Sequence, residues 1–248
     1  MTKEEIIYNV LLSDVVYKEF REINFKDLNL SLAKWIDHKK SDTQGFIATK
    51  DNTIYVVWRG SSSKKDFQND ASVDKVPFLK DEEKVHIGFL SSWNSVKDLT
   101  FNALDSAIKK IKSDEINITV CGHSLGAAVA TLSAYAIKHK HPDANVKCCN
   151  IGSPRVGNKK FKENYNSSGI ETLRIVHNND VVTRSPKIGY HHVDTELRID
   201  SNGNIKKWMI DWQRAWSFTK DLFKGQTIKD HMTDGYIKAV NKWDPGKK

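Results

Sequence analysis

Gly122-His123-Ser124-Leu125-Gly126 has the residue types and spacing of an activated serine nucleophile. It separates an apolar, β-rich run, Ile116 to Cys121, from an alanine-rich run, Leu125 to Ile137. The serine therefore falls where a strand turns sharply into a helix. Side chains at the two flanking positions would collide with the neighbouring strand and helix, so glycine is required at both, and Gly122 and Gly126 meet that demand. Ala127, Ala128, Ala130, Ala134 and Ala136 allow the helix to lie close on a sheet, with its first amides aimed at the reacting atoms.

A serine hydroxyl needs a base, and the base needs a carboxylate to orient it. In α/β-hydrolases the chain order is Ser, acid, His, which places both partners after residue 124. Asp180 closes Arg174-Ile175-Val176-His177-Asn178-Asn179-Asp180, where a strand runs into a polar loop. Asp194 is its competitor, expected inside a strand over 192–199 with its carboxylate toward solvent. For the base, His231 sits in a loop before the final helix, whereas His191 and His192 stand at a strand start. The expected triad is Ser124, Asp180 and His231.

The elements needed to position these groups are legible as an alternation. Ile6, Ile7, Val10, Leu11, Val15 and Tyr17 predict a helix over 3–19, and a strand pair follows at 46–49 and 53–58. A helix over 95–111, the elbow strand, a helix over 125–139 and a strand over 146–151 come next. A short helix over 158–165, a strand over 173–176, a hairpin turning at Asn202-Gly203 and two late helices complete the pattern. Helices interleaved with buried strands imply a largely parallel central sheet covered by helices on both faces, an α/β fold.

Composition narrows the rest. The 248 residues contain 5 prolines and 13 glycines, dispersed and without repeats, which suits one domain over 1–248. No apolar run approaches the length of a spanning helix. Met1 to Tyr8 lacks the apolar core of a signal peptide, so a cytoplasmic location is expected unless a precursor segment has been trimmed. Cys121, Cys148 and Cys149 lie in apolar runs and read as buried thiols rather than a disulfide framework. Lysines account for the net charge of +8 and keep a surface solvated; over residues 206–248, ten Lys/Arg against five Asp/Glu leave +5, a basic face suited to anionic interfaces. No nucleic-acid motif accompanies this charge.

Taken together, Gly122–Gly126, Val56-Val57-Trp58-Arg59-Gly60-Ser61, Val85-His86-Ile87-Gly88-Phe89, Gly152-Ser153-Pro154-Arg155-Val156-Gly157-Asn158, Asn179-Asp180-Val181-Val182 and Asp230-His231 resemble the class 3 lipases, the family of filamentous-fungal triacylglycerol lipases. The resemblance covers residues 54–232. It implies an α/β-hydrolase fold, a triad at Ser124, Asp180 and His231, and an oxyanion hole at Ser61 and Leu125. Where the family has a strand of the form His-x-Gly-x-Glu followed by an aromatic, this chain has His192-Val193-Asp194-Thr195-Glu196, so that strand is expected to pack differently. The disulfides of secreted fungal members have no counterpart here. His86 is expected to be a structural histidine satisfied by hydrogen bonds.

The implied activity is hydrolysis of acylglycerols or related lipid carboxylic esters through an acyl-enzyme, at a lipid–water interface, with no metal or organic cofactor required. A phospholipase or a thioesterase would use the same residues, and a catalytically silent lipid-binding protein is the alternative outside enzymes. The resemblance places a lid at about 62–76. Its apolar residues are Phe67, Ala71 and Val73 among many charges, so only modest interfacial activation is expected, with Phe67 as its main contact. Trp212, Trp216, Thr219, Leu222 and Phe223 share one helical face that would either roof an acyl pocket or pack in the core.

Overall fold

The computed structural model describes residues 1–61, 74–113, 115–206 and 226–246. Its centre is a seven-stranded sheet in the order β1 (Ser31–His38), β2 (Thr43–Lys50), β3 (Thr53–Trp58), β6 (Asn117–His123), β7 (Asn145–Ile151), β8 (Glu171–His177) and β9 (Thr195–Ile199). The first three strands run antiparallel through tight turns, and β3, β6, β7, β8 and β9 are mutually parallel. A separate antiparallel pair, β4 (Lys75–Phe78) with β5 (Lys80–His86), stands outside this sheet. The parallel strands end on one edge, and Trp58, His123, Ile151 and His177 all lie there.

Alternation along the central strands builds two cores. Val56, Val120 and Cys148 face one side, where α2 (Ile87–Ile108) and α3 (Leu125–Lys140) pack against them with Trp93, Leu104, Leu132 and Ile137. Val57, Cys121 and Cys149 face the other, covered by α1 (Lys3–Val15) and by α6 (Thr233–Lys242), which follows the one-turn α5 (Gln226–Lys229), through Ile6, Val10, Tyr236 and Val240. Helices thus cover both faces, as the alternation of elements implies. The parallel strands of the sheet read as apolar runs because neither of their faces meets water. All three cysteines are buried free thiols.

Local chemistry explains the helix starts. Thr2 and Glu5 form a reciprocal capping box, each side chain accepting the other's main-chain N–H at the head of α1. Asn158 caps α4 (Lys159–Asn166) by accepting from Phe161 N–H. His86 caps α2: its Nδ1 accepts from Gly88 N–H at 3.1 Å while its ring stacks on Phe89, a structural role.

Several elements differ from the sequence pattern. β1 carries mostly exposed residues at a sheet edge, and β4–β5 is largely charged, so neither shows an apolar periodicity. The first helix stops at Val15 rather than 19, and a 3₁₀ turn follows at Phe20–Glu22. β9 starts at Thr195, not 192. The expected hairpin at Asn202-Gly203 is a tight turn closed by one bridge, Ile199 to Ile205, because Asp200 Oδ1 accepts from both Asn202 N–H and Asn204 N–H. Residues 62–73 of the expected lid, with Phe67, Ala71 and Val73, and the tryptophan face 212–223 lie outside the described residues, while Lys75 and Val76 at the lid's end open β4. No described helix is long and apolar enough to cross a membrane.

Candidate active site

Ser124 sits between β6 and α3 with φ 59° and ψ −126°, a left-handed conformation that holds its side chain out of the turn. Its N–H donates to the Ile151 carbonyl at the end of β7, which anchors the turn to the neighbouring strand. A Cβ on Gly122 would lie 2.5 Å from the Gly126 carbonyl oxygen, and one on Gly126 would lie 2.4 Å from the Trp58 carbonyl oxygen. Both flanking glycines are therefore required by backbone contacts that cannot yield.

The loops after β8 and before α6 bring the partners in. His231 Nε2 lies 2.8 Å from Ser124 Oγ, and His231 Nδ1 lies 2.8 Å from Asp180 Oδ2. Nδ1 donates to the carboxylate, which leaves Nε2 with a lone pair toward the serine hydroxyl. Asp180 is fully buried and saturated: Oδ1 accepts from Val182 N–H at 2.9 Å, and Oδ2 also accepts from the Tyr236 hydroxyl at 2.5 Å. Burial pushes the Asp180 carboxyl up, but attraction to His231 and the hydrogen bonds from His231 and Tyr236 outweigh it. The carboxyl is held below the usual carboxylate range.

Gly152 makes this approach possible. It has φ +58°, and a Cβ there would meet Asp180 Oδ2 at 2.8 Å and His231 Nδ1 at 3.1 Å. Asp194, the competing acid, is exposed beside β9 and accepts from Thr172 N–H and Thr195 Oγ1, on a side of the sheet edge that the triad does not touch. His192 donates from Nε2 to the Thr183 carbonyl at 2.7 Å, and His191 stays outside the cluster.

The two residues expected to supply oxyanion donors lie on two elements. Leu125 is the first residue of α3, where main-chain N–H groups have no intrahelical acceptor. Ser61 follows Gly60 beyond β3, and Gly60 is so close to the elbow that a Cβ on it would lie 3.1 Å from Ser124 Cβ. A surface cavity of about 450 Å³ lined by Leu90, Trp93, Phe101 and Ala136 opens near the far end of α3, roughly 18 Å along the helix from Ser124, and has no part in this cluster.

These positions match a known family. The model of the family described as Lipase (class 3) matches residues 55–190, more than half of the chain. The chain belongs to the class 3 lipases. Phospholipase A1-IIgamma of Arabidopsis thaliana is 31% identical over 240 residues, covering 82% of this chain and 54% of its own length. Secreted mono- and diacylglycerol lipase A of Penicillium camembertii is 36% identical over 174 residues, 68% of this chain and 55% of its own length. The chain thus spans about half the length of the curated relatives it matches. Among solved structures, a triacylglycerol lipase whose catalytic centre is formed by a serine protease triad superposes with a TM-score of 0.75 at 28% identity, covering 82% of each chain. The triacylglyceride lipase of Rhizomucor miehei gives a TM-score of 0.73 at 28% identity, covering 79% of each chain.

In this class 3 lipase chain, four participants were not legible as such. Tyr236 donates to the triad carboxylate from one turn inside α6, and Gly152 vacates the space beside it. His123 and Tyr17 form a partly buried contact behind the elbow, Tyr17 Oη to His123 Nδ1 at 2.8 Å. Sequence offers two hints, the position of His123 within the elbow motif and that of Gly152 at the head of the Gly152–Asn158 motif; Tyr236 and Tyr17 have no local signature.

Buried histidines make stability depend on pH. Burial, with His231 alongside, pushes His123 down to about 3, and burial together with the charge of Arg174 pushes His192 well below the usual histidine range. An unfolded histidine titrates near ~6.5. Below that value the unfolded chain binds protons that the folded chain refuses, so stability is lost as pH falls from there toward the folded values. Each group contributes up to about 1.4 kcal/mol per pH unit. The urea midpoint should therefore drop steadily between pH 7 and 5, and a flat midpoint over that interval would show that these rings are not held neutral.

Proposed function

We infer that the chain is a serine ester hydrolase acting on lipid carboxylic esters. The observation that carries this reading is the continuous chain of hydrogen bonds from Ser124 Oγ through His231 to the buried Asp180 carboxylate. Ser124 Oγ attacks the ester carbonyl while His231 Nε2 takes its proton. The Asp180 carboxylate holds the ring in the correct tautomer and stabilises the imidazolium. The Leu125 amide, with Ser61 as the second donor, stabilises the oxyanion of the tetrahedral intermediate. His231 then delivers the proton to the departing alcohol, leaving an acyl-Ser124, and water repeats the cycle to release the acid. A silent binding protein has no need of a hydroxyl, a base and a carboxylate in hydrogen-bonding register, which favours the enzyme.

The relatives are named for both acylglycerol and phospholipid hydrolysis, and the triad serves either. The test is a panel of p-nitrophenyl esters of increasing chain length, emulsified mono-, di- and triacylglycerol, and phosphatidylcholine vesicles, each assayed with wild type and Ser124→Ala. Release of fatty acid or p-nitrophenol by wild type alone is expected. Absence of hydrolysis across the whole panel would overturn the reading, and the lipid class cleaved fastest defines the substrate.

A further inference from the structure

Behind the elbow runs a hydrogen-bonded path that uses none of the reacting atoms. His123 Nε2 lies 2.7 Å from the main-chain carbonyl of His231. A carbonyl only accepts, so Nε2 carries the ring proton and Nδ1 is the acceptor. The Tyr17 hydroxyl, 2.8 Å from Nδ1, must then be the donor. The same hydroxyl packs against Gly60, where a Cβ would lie 2.2 Å from it, so only glycine leaves room for it there. The path therefore runs from Gly60, in contact with the Tyr17 hydroxyl, through Tyr17 O–H donating to His123, to His123 N–H donating to the His231 carbonyl. The His123 ring is 5% exposed and lies 4.5 Å from the His231 ring, centroid to centroid.

The two ends of this path are the two loops that must agree over Ser124. Gly60 precedes Ser61 in the oxyanion loop, and His231 is the base. α1 reaches the second loop again one turn earlier, where Asp14 Oδ1 accepts from Thr233 Oγ1 at 2.5 Å. Tyr17 and Asp14 both lie outside the residues matched by the family model.

We propose that Tyr17, acting through His123, is a positioning residue that locks the oxyanion loop and the catalytic-histidine loop into one register. This rests on the reading of Ser124 and His231 as nucleophile and base. Neither Tyr17 nor His123 hydrogen-bonds to the Ser124 hydroxyl, the His231 ring nitrogens or the Asp180 carboxylate. Cutting the path at Tyr17 frees Gly60 and the His231 main chain to shift independently, and misplacement by about 1 Å at such a site costs up to about 10²-fold in rate.

The experiment compares wild type, Tyr17→Phe, His123→Asn and the double variant on a soluble short-chain p-nitrophenyl ester. Rates are expressed per active site after titration with a fluorophosphonate that labels Ser124. Tyr17→Phe keeps the ring and its packing, so it guards against a folding defect in the buried His123 variant. Expected are a kcat lowered about 10- to 100-fold with KM within about twofold, and weakening of an alkyl boronic acid by the same factor as kcat/KM. Because the path acts as a unit, the double variant should be no slower than the slower single. A kcat per active site within twofold of wild type for Tyr17→Phe, or losses that multiply in the double variant, would overturn the proposal. Absence of both labelling and hydrolysis in wild type would instead overturn the underlying hydrolase reading.

Discussion

Ser124→Ala and His231→Ala are each expected to lower kcat on any cleaved ester by about 10⁶, with the double variant no worse than either single. The size follows from the geometry. Ser124 Oγ and His231 Nε2 are 2.8 Å apart, so the hydroxyl becomes a nucleophile only as its proton moves to that nitrogen, and either deletion removes the same event. The residual rate comes from the oxyanion donors and from binding, which both variants keep. Neither change should unfold the chain. Ser124 is a small side chain with its N–H held by Ile151, and the His231 loop remains tied through its main chain and through Asp230, which accepts from Asn178 Nδ2 and Asn179 N–H. Steady-state kinetics with circular dichroism check both halves. Full activity in either variant would remove the triad from the mechanism.

The elbow was legible because its demands are local. Gly122, Ser124 and Gly126 answer to contacts within one strand and one helix turn, and the apolar run before them with the alanines after them mark both elements. The parallel strands were legible for a related reason: buried on both faces, they read as apolar runs such as Val146 to Ile151. β1 and the β4–β5 pair escaped because their exposed and charged residues carry no burial pattern, although register with β2 and with the partner strand defines them. The supporting groups around the site escaped for a different reason. Tyr17 meets His123 across 106 residues and Tyr236 meets Asp180 across 56. No local periodicity encodes a contact of that kind; it follows from α1 and α6 packing side by side on one face of the sheet. Choosing Asp180 over Asp194 rested on loop against strand. The structure adds a stronger discriminator, since the one carboxylate is fully buried among donors and the other lies in solvent.

That discriminator sets the last expectation: Asp180→Asn should cost about 10⁴ in kcat, whereas Asp194→Asn should leave it within about twofold. Asp180 Oδ2 takes hydrogen bonds from both His231 Nδ1 and Tyr236 Oη, and Oδ1 takes one from Val182 N–H. All three partners donate, so an amide cannot satisfy them with both ends; its NH₂ group faces either a main-chain donor or the His231–Tyr236 pair. Turned toward the pair, it donates to Nδ1 and forces the ring proton onto Nε2, which then faces the serine hydroxyl as a donor and cannot accept its proton. Turned the other way, it sets two donors against each other at Val182 and destabilises the loop. The loss should fall on kcat rather than KM, because substrate touches neither atom. It should persist across the assay range, since the wild-type carboxyl is already held below ordinary values and stays ionised. The stability that this ionised carboxyl contributes is present above the unfolded value of about 3.9 and is lost only as pH falls below it, so it does not overlap the histidine-driven loss between pH 7 and 5. If Asp194→Asn proved the crippling change and Asp180→Asn the mild one, the acid would have to be reassigned despite its 2.8 Å approach to His231.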